Sequence, residues 1–157
     1  MPRIGLISDT HGLLRPEAKT FLRGCDFIIH GGDIGGQHIL SELAELAPVI
    51  AVRGNNDKES WAAKLQQDAF LQLGDIFIYV LHDLAELQID PIAASVRVVV
   101  SGHSHAPLIK ERDGVLFVNP GSSGPRRFKL PISIGELVIA GNSVSAQLIE
   151  LEIPRAA

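Results

Sequence analysis

Short runs of Ile, Val and Leu, punctuated by glycine, recur along the chain and divide it into strands and helices. Continuous aliphatic runs at Arg3–Ser8, Phe27–His30 and Val49–Arg53 read as strands buried on both faces, as parallel strands covered by helices are. Between them, Pro16–Arg23 and Gln37–Leu46 read as helices, the first opened by its proline. The first third is therefore a βαβαβ unit with right-handed crossovers. The second half changes character. Asp68–Leu73 and Ile76–Leu81 flank Gly74-Asp75, Leu108–Arg112 and Val115–Asn119 flank Asp113-Gly114, and Ile132–Ala140 and Ser143–Leu151 flank Gly141-Asn142. Each pair is a hairpin signal. Val96–Val100 adds another aliphatic strand, and a short helix is expected before Pro91. This mixture favours an α/β chain built as an αββα four-layer sandwich, two packed mixed β-sheets flanked by helices, over a simple doubly wound sheet. No repeat, low-complexity tract or linker interrupts residues 1–157, which are read as one domain.

Composition narrows the class. At 157 residues the chain can bury a core without disulfides, and 46% apolar against 5% aromatic residues makes that core aliphatic. Disorder, collagen and coiled coil are excluded. Cys25 stands alone, so there is no intramolecular disulfide and no paired-cysteine zinc or redox motif, and a reducing cytoplasm is the expected location. The first apolar stretch meets Asp9 too soon for a signal-peptide core or a membrane span. Fourteen Lys and Arg against eighteen Asp and Glu give a net charge of -4, which removes any broad footprint for nucleic acid or an anionic membrane. An anionic ligand would need a local positive centre.

Polar residues cluster where the expected strands end. Asp9-Thr10-His11 follows the first strand, Gly31-Gly32-Asp33 the second and Gly54-Asn55-Asn56-Asp57 the third. His82-Asp83, Gly102-His103-Ser104-His105 and Asn119-Pro120-Gly121-Ser122 follow later ones. Carboxyl ends of strands form the ligand crevice in open α/β sheets. Taken singly, most of these segments also read as helix caps or turns. His103 and His105, two apart, share one side of an extended segment. Together, four of the six histidines, two aspartates and an asparagine lie in these turns, and the joint pattern reads as a metal site. Nitrogen and oxygen donors without thiolate suit Mn, Fe, Zn, Ni or Co. Seven donors are too many for one such ion but suit two divalent ions sharing a carboxylate, for which Asp33 is the natural bridge.

The ordered set DxH, GD, GN, H and GHxH, covering Asp9 to Arg126, resembles the calcineurin-like metallophosphoesterase superfamily. The small size, the lack of a cap domain, and the Asn119–Ser122 and Pro125-Arg126 elements are similar to its compact bacterial and archaeal phosphodiesterase branch. The resemblance implies that Asp9, His11 and His105 hold a first ion, that Asn55, His82 and His103 hold a second, and that Asp33 bridges them. It also implies a catalytic set of Asn56, His82 and Asp33. The implied reaction is hydrolysis of a small phosphodiester by in-line attack of a hydroxide bridging two divalent ions, with manganese expected. Phosphomonoesterase activity at the same centre, with Arg126 meeting the extra charge, is the alternative. A protein-interaction scaffold, like the metallophosphoesterase-like subunit of retromer, is the third reading.

Two departures stand out. Asn56 occupies a position where many relatives have histidine, and a carboxamide gives up no proton at a useful pKa, so the general acid is unassigned. Asp83 follows His82 where relatives usually have glycine, and reads either as an acid that orients a ligand or as a surface acid. His30 reads either as a group orienting the ligands or as a core histidine bonded to a backbone carbonyl. Asp57 either backs up a ligand or only makes a turn. His38 and the basic cluster Arg126, Arg127 and Lys129 read as solvated. The expected partner is a small phosphate ester, with no membrane and no broad nucleic-acid binding. Hairpin edges and aliphatic helix faces make a homodimer an expectation.

Overall fold

Two five-stranded mixed sheets pack face to face in the computed structural model, which describes residues 1–127 and 129–153. Residues 154–157 of the expected domain lie outside the described residues. The first sheet has the order β10-β9-β1-β2-β3, with β1 Arg3–Ile7, β2 Phe27–His30, β3 Val49–Ala51, β9 Ser133–Ala140 and β10 Ser143–Glu150. β1, β2 and β3 run parallel, joined through α1 (Pro16–Leu22) and α2 (Gln37–Ala44), and β9 lies antiparallel to β1. The second sheet has the order β4-β5-β6-β8-β7, with β4 Asp68–Leu73, β5 Ile76–Leu81, β6 Val98–Val100, β7 Leu108–Arg112 and β8 Val115–Asn119. Within it β5, β6 and β8 are parallel.

All three expected hairpins form. Asp113 and Gly114 both have positive φ, 52° and 80°, the backbone a two-residue turn between right-twisted strands requires. α1 starts at Pro16, whose missing N–H costs nothing at that position, and carries Glu17 in its first turn. Strand alternation sorts the core. Ile4, Leu6, Ile29, Val80, Val100 and Leu137 fill the space between the sheets. Ile7, Ile28 and Ile134 face the other way, under Ala18 and Leu22 of α1 and Ile39 and Leu43 of α2. The α1 contact is so close at Gly5 that a Cβ there would sit 2.3 Å from Leu22 Cδ2.

The fourth layer is thinner than expected. The helix expected before Pro91 is a 3-10 turn, Leu84–Glu86, and together with Leu87 and Ile89 it covers Tyr79, Leu81 and Val99 on the outer face of the second sheet. Only eight residues separate His82 from Pro91, and a residue preceding proline is held out of the helical region. Likewise β6 starts at Val98, because the Val96 N–H donates to the Pro91 carbonyl instead of to a strand. A 3-10 segment, Ser60–Lys64, follows the Asn55 loop without having been expected. Among the described residues no helix is long and apolar enough to cross a membrane.

Candidate metal centre

The parallel strands of both sheets end at one edge of the sandwich. Asp9 follows β1, Asp33 follows β2, Asn55 follows β3, His82 follows β5, and His103 and His105 follow β6. Three backbone bonds lock the first two loops together: Asp9 N–H to the Gly32 carbonyl, His11 N–H to Asp33 and Gly12 N–H to Ile34. Five of the seven expected ligands, Asp9, His11, Asp33, His103 and His105, have φ between 46° and 72°. For non-glycine residues that left-handed backbone costs about 1–2 kcal/mol each and concentrates at functional sites. Glycines admit the close approach: a Cβ on Gly54 would lie 2.1 Å from Asp33 N, and one on Gly102 would lie 2.1 Å from Ser8 Oγ.

The structure brings all seven expected ligands together, in two overlapping groups. Asp9 Oδ1 lies 3.4 Å from His105 Nε2 and 3.8 Å from His11 Nε2. Asp33 Oδ2 lies 3.7 Å from His11 Nε2 on one side and 3.3 Å from His82 Nε2 on the other. Asn55 Oδ1 is 2.9 Å from His82 Nε2 and 3.2 Å from His103 Nδ1. Asp9 also comes within 4.8 Å of the donor atoms of Asp33 and His82, so the two groups share more than Asp33.

The donor chemistry fits a dication. His82 Nδ1 lies 2.7 Å from the Gly31 carbonyl, which can only accept, so in the neutral ring Nε2 carries a bare lone pair. In that neutral form the lone pair faces two other acceptors, Asn55 Oδ1 and Asp33 Oδ2, at 2.9 and 3.3 Å, a meeting that a bound cation, or a proton on Nε2, relieves. Metal–ligand bonds of about 2.1 Å place neighbouring ligands roughly 3.0–3.4 Å apart, the spacing seen here. Asp9 Oδ1 and His11 Nε2 are buried and have no hydrogen-bond partner among the described residues.

Charge is distributed accordingly. Burial alone would raise the Asp33 pKa, but the bond to His82, the Asn56 backbone N–H and the charges of His82 and His11 bring it down to about 2. Asp9 is lowered too, burial being outweighed by His105, Ser8 and His82. Burial opposes charging His82, yet Asp33 and the Gly31 carbonyl outweigh it and raise its pKa.

A second set of residues holds the ligands in place. Thr10 Oγ1 donates to the Ile34 carbonyl at 2.7 Å, so His30 Nε2–H donates to Thr10 at 2.9 Å while His30 Nδ1 accepts from Gly32 N–H at 3.0 Å. His30 therefore ties the Asp9 turn to the Asp33 turn, and the reading of it as a core histidine on a carbonyl is corrected. Complete burial drops its pKa to about 4. Asp57, 3% exposed, accepts backbone N–H bonds from Ile34, Gly35 and Gly54 at 2.9–3.2 Å. It is a hub joining two loops, more than a turn former. Asn119 donates to the Gly102 carbonyl and Ser104 Oγ and steadies the His103–His105 turn. Thr10 was missed in sequence; its place inside Asp9-Thr10-His11 was the available signal.

Asn56 is exposed, and its backbone N–H and its Nδ2 both donate to Asp33. Asp83 Oδ2 stands 3.8 Å from His103 Nε2 while Oδ1 caps Ala85 N–H. His38 is exposed, 3.3 Å from the Gly12 carbonyl. Arg126, Arg127 and Lys129 are exposed, with Arg126 donating to the Leu130 carbonyl.

Comparison with known proteins places the sequence and the fold in one family. Residues 2–141 match the calcineurin-like phosphoesterase superfamily domain. A probable metallophosphoesterase of Methanothermobacter thermautotrophicus is 35% identical over 96% of this chain and 94% of its own length. Among solved structures, an archaeal phosphodiesterase superposes with a TM-score of 0.77 at 25% identity, covering 94% of this chain and 99% of that one. Vacuolar protein sorting 29 from Cryptosporidium parvum has the same fold, with a TM-score of 0.83 at 20% identity over 96% of this chain and 92% of its own. With Asp, His and Asn side chains gathered on turns at the carboxyl ends of two packed sheets and a family match over residues 2–141, the chain belongs to the calcineurin-like phosphoesterase superfamily.

Proposed function

We propose that the protein is a phosphodiesterase acting on small diesters with two divalent ions at this centre. The observation that carries the reading is the convergence of Asn55 Oδ1, Asp33 Oδ2 and His103 Nδ1, three possible ligand atoms within 3.3 Å of His82 Nε2, beside the unpartnered Asp9 Oδ1 and His11 Nε2. Asp9, His11 and His105 would hold one ion, Asn55, His82 and His103 the other, and Asp33 would contact both. Divalent ions held there supply Lewis acidity toward phosphate and acidify water toward neutral pH. The chain's own part is to present donors already aimed. The Gly31 carbonyl fixes the His82 tautomer, and Asp33 and Asp9 stay ionised at neutral pH. Two carboxylates against two dications leave a net positive site for an anionic ester, which the acidic chain as a whole would not offer. Asn56 holds its amide donors beside Asp33, where they can turn to a phosphoryl oxygen, but it supplies no proton. The archaeal phosphodiesterase of the same fold supports the diester over the monoester, as does the exposed position of Arg126. Protein stripped with EDTA and reloaded with Mn²⁺ is expected to hydrolyse bis(4-nitrophenyl) phosphate, with about two metal ions per chain by elemental analysis. Asp33→Asn is expected to lose both metal and turnover while keeping its circular dichroism. Absence of turnover with Mn²⁺, Zn²⁺, Co²⁺, Ni²⁺ and Fe²⁺ alike would defeat the reading.

A further inference from the structure

A groove of about 1180 Å³ opens directly beside Asn55, His82 and His103 and runs along the outer face of the second sheet. One wall is apolar, made by Tyr79 and Leu81 of β5 with Leu87 and Ile89 of the segment that follows. The opposite rim is the loop that carries Asn55, and it places Arg53 and Lys58 on the groove. Three of the four acids lining the groove are held by neutral donors, which fix their carboxylates without cancelling their charge. Asp57 is saturated by backbone N–H groups, Asp68 accepts the Tyr79 hydroxyl at 2.7 Å, and Asp83 caps Ala85 and faces His103. Glu86 is exposed. The two cations are not engaged: neither side chain has a hydrogen bond or ion pair with any described residue, although Arg53 is half-buried. The half-burial of Arg53 falls on its stem, its guanidinium nitrogens being absent from the buried unpartnered atoms, and the planar donor fork left open to the groove matches carboxylate or phosphate oxygens.

Resting on the phosphodiesterase reading, we propose that this groove receives one alcohol arm of the diester and that Arg53 and Lys58 select an arm carrying its own anionic group. The favoured substrate is then a diester with a ring-sized apolar body lying along Leu87 and Ile89, which cover the buried Tyr79 and Leu81, and a carboxylate or phosphate reaching the two cations. Asp57, Asp68, Asp83 and Glu86 keep their charges on the groove, so selection rests on direct pairing of the anion with Arg53 and Lys58 and not on a general positive field.

The test uses Mn²⁺-loaded protein and three diesters that all release 4-nitrophenol: the phenyl, the 4-carboxyphenyl and the 4-phosphonophenyl ester of 4-nitrophenyl phosphate. At least one anionic ester is expected to show kcat/KM about tenfold above the phenyl ester, two partly exposed ion pairs being of that order, and the better of the two identifies the anion. Arg53→Gln and Lys58→Gln are each expected to bring that ratio down toward one. Lys58 is exposed, so its variant remains informative if Arg53→Gln is poorly folded. Equal handling of all three esters, or a preference that survives both substitutions, overturns the proposal. Hydrolysis of the phenyl ester without such a preference would leave the phosphodiesterase reading standing and remove only the groove's role. If no ester is hydrolysed that reading fails, and calorimetric titration of the same three esters decides the groove: tighter anionic binding lost in Lys58→Gln supports it, and equal binding overturns it.

Discussion

Replacing Asp57 by alanine separates a residue that holds the loops from one that holds metal. Its carboxylate accepts from three backbone N–H groups, those of Ile34 and Gly35 after the Asp33 turn and that of Gly54 before Asn55, inside a site where it is 3% exposed. Hydrogen bonds to a charged group contribute about 1.5–3 kcal/mol each, and donors left buried without an acceptor add their desolvation cost. Water entering the vacated space recovers part of this, so the expected loss is about 3–5 kcal/mol. For a chain of this size that lowers Tm by roughly 10 °C. The assay is thermal unfolding followed by circular dichroism, in EDTA and again with Mn²⁺. Because the bonds are made within the protein, the loss is expected in full in EDTA, and metal affinity falls as well because both ligand loops shift. A drop below about 3 °C in EDTA, with a large drop only when Mn²⁺ is present, would show that Asp57 acts as a ligand and would refute the reasoning.

Two further outcomes follow from the same geometry. The His30 pKa is lowered from 6.5 to about 4 by burial, so its neutral form stabilises the fold above pH 6.5 and that contribution disappears as pH falls toward 4. It amounts to roughly 3 kcal/mol. In EDTA, a His30→Gln variant is expected to lose about that much less stability than the parent between pH 6.5 and 4; parallel curves would contradict the assignment. The raised His82 works in the opposite sense in both proteins, and lowered Asp33 and Asp9 act only below pH 3.8, so none of them supplies the difference. At His103, where φ is 72°, glycine is expected to be more stable than alanine by about 1 kcal/mol in EDTA, the reverse of their usual order in regular structure. Both variants should lose more activity than Asn56→Ala, because Asn56 would only touch substrate while His103 would hold metal; the opposite ranking would exchange their roles.

Local rules made much of this molecule legible. The continuous aliphatic runs, Pro16, and the turn residues at Gly74, Asp113-Gly114 and Gly141 each act over a few residues, and the strands, α1 and the hairpins formed where they indicated. The donors Asp9, His11, Asp33, Asn55, His82, His103 and His105 were readable because polar residues past strand ends have only one edge of a parallel sheet on which to collect. What sequence left open depends on partners far along the chain. The bonds of His30 to Thr10, of Asp57 to Ile34 and of Asn119 to Gly102 join residues 17 to 23 positions apart, and only the register of strands across both sheets brings them within 3 Å. The same holds for the thin cover over β5 and for the groove on which Arg53 and Lys58 form no ion pair with a described residue. Amino-acid order determined which chemistry the strand ends carry, because turn preference and hydrophobic period are properties of short segments. Tertiary packing decided which of those groups meet and which charges stay unpaired, because hydrogen bonds and ion pairs require contact at ångström precision that only two sheets closed on one core can impose.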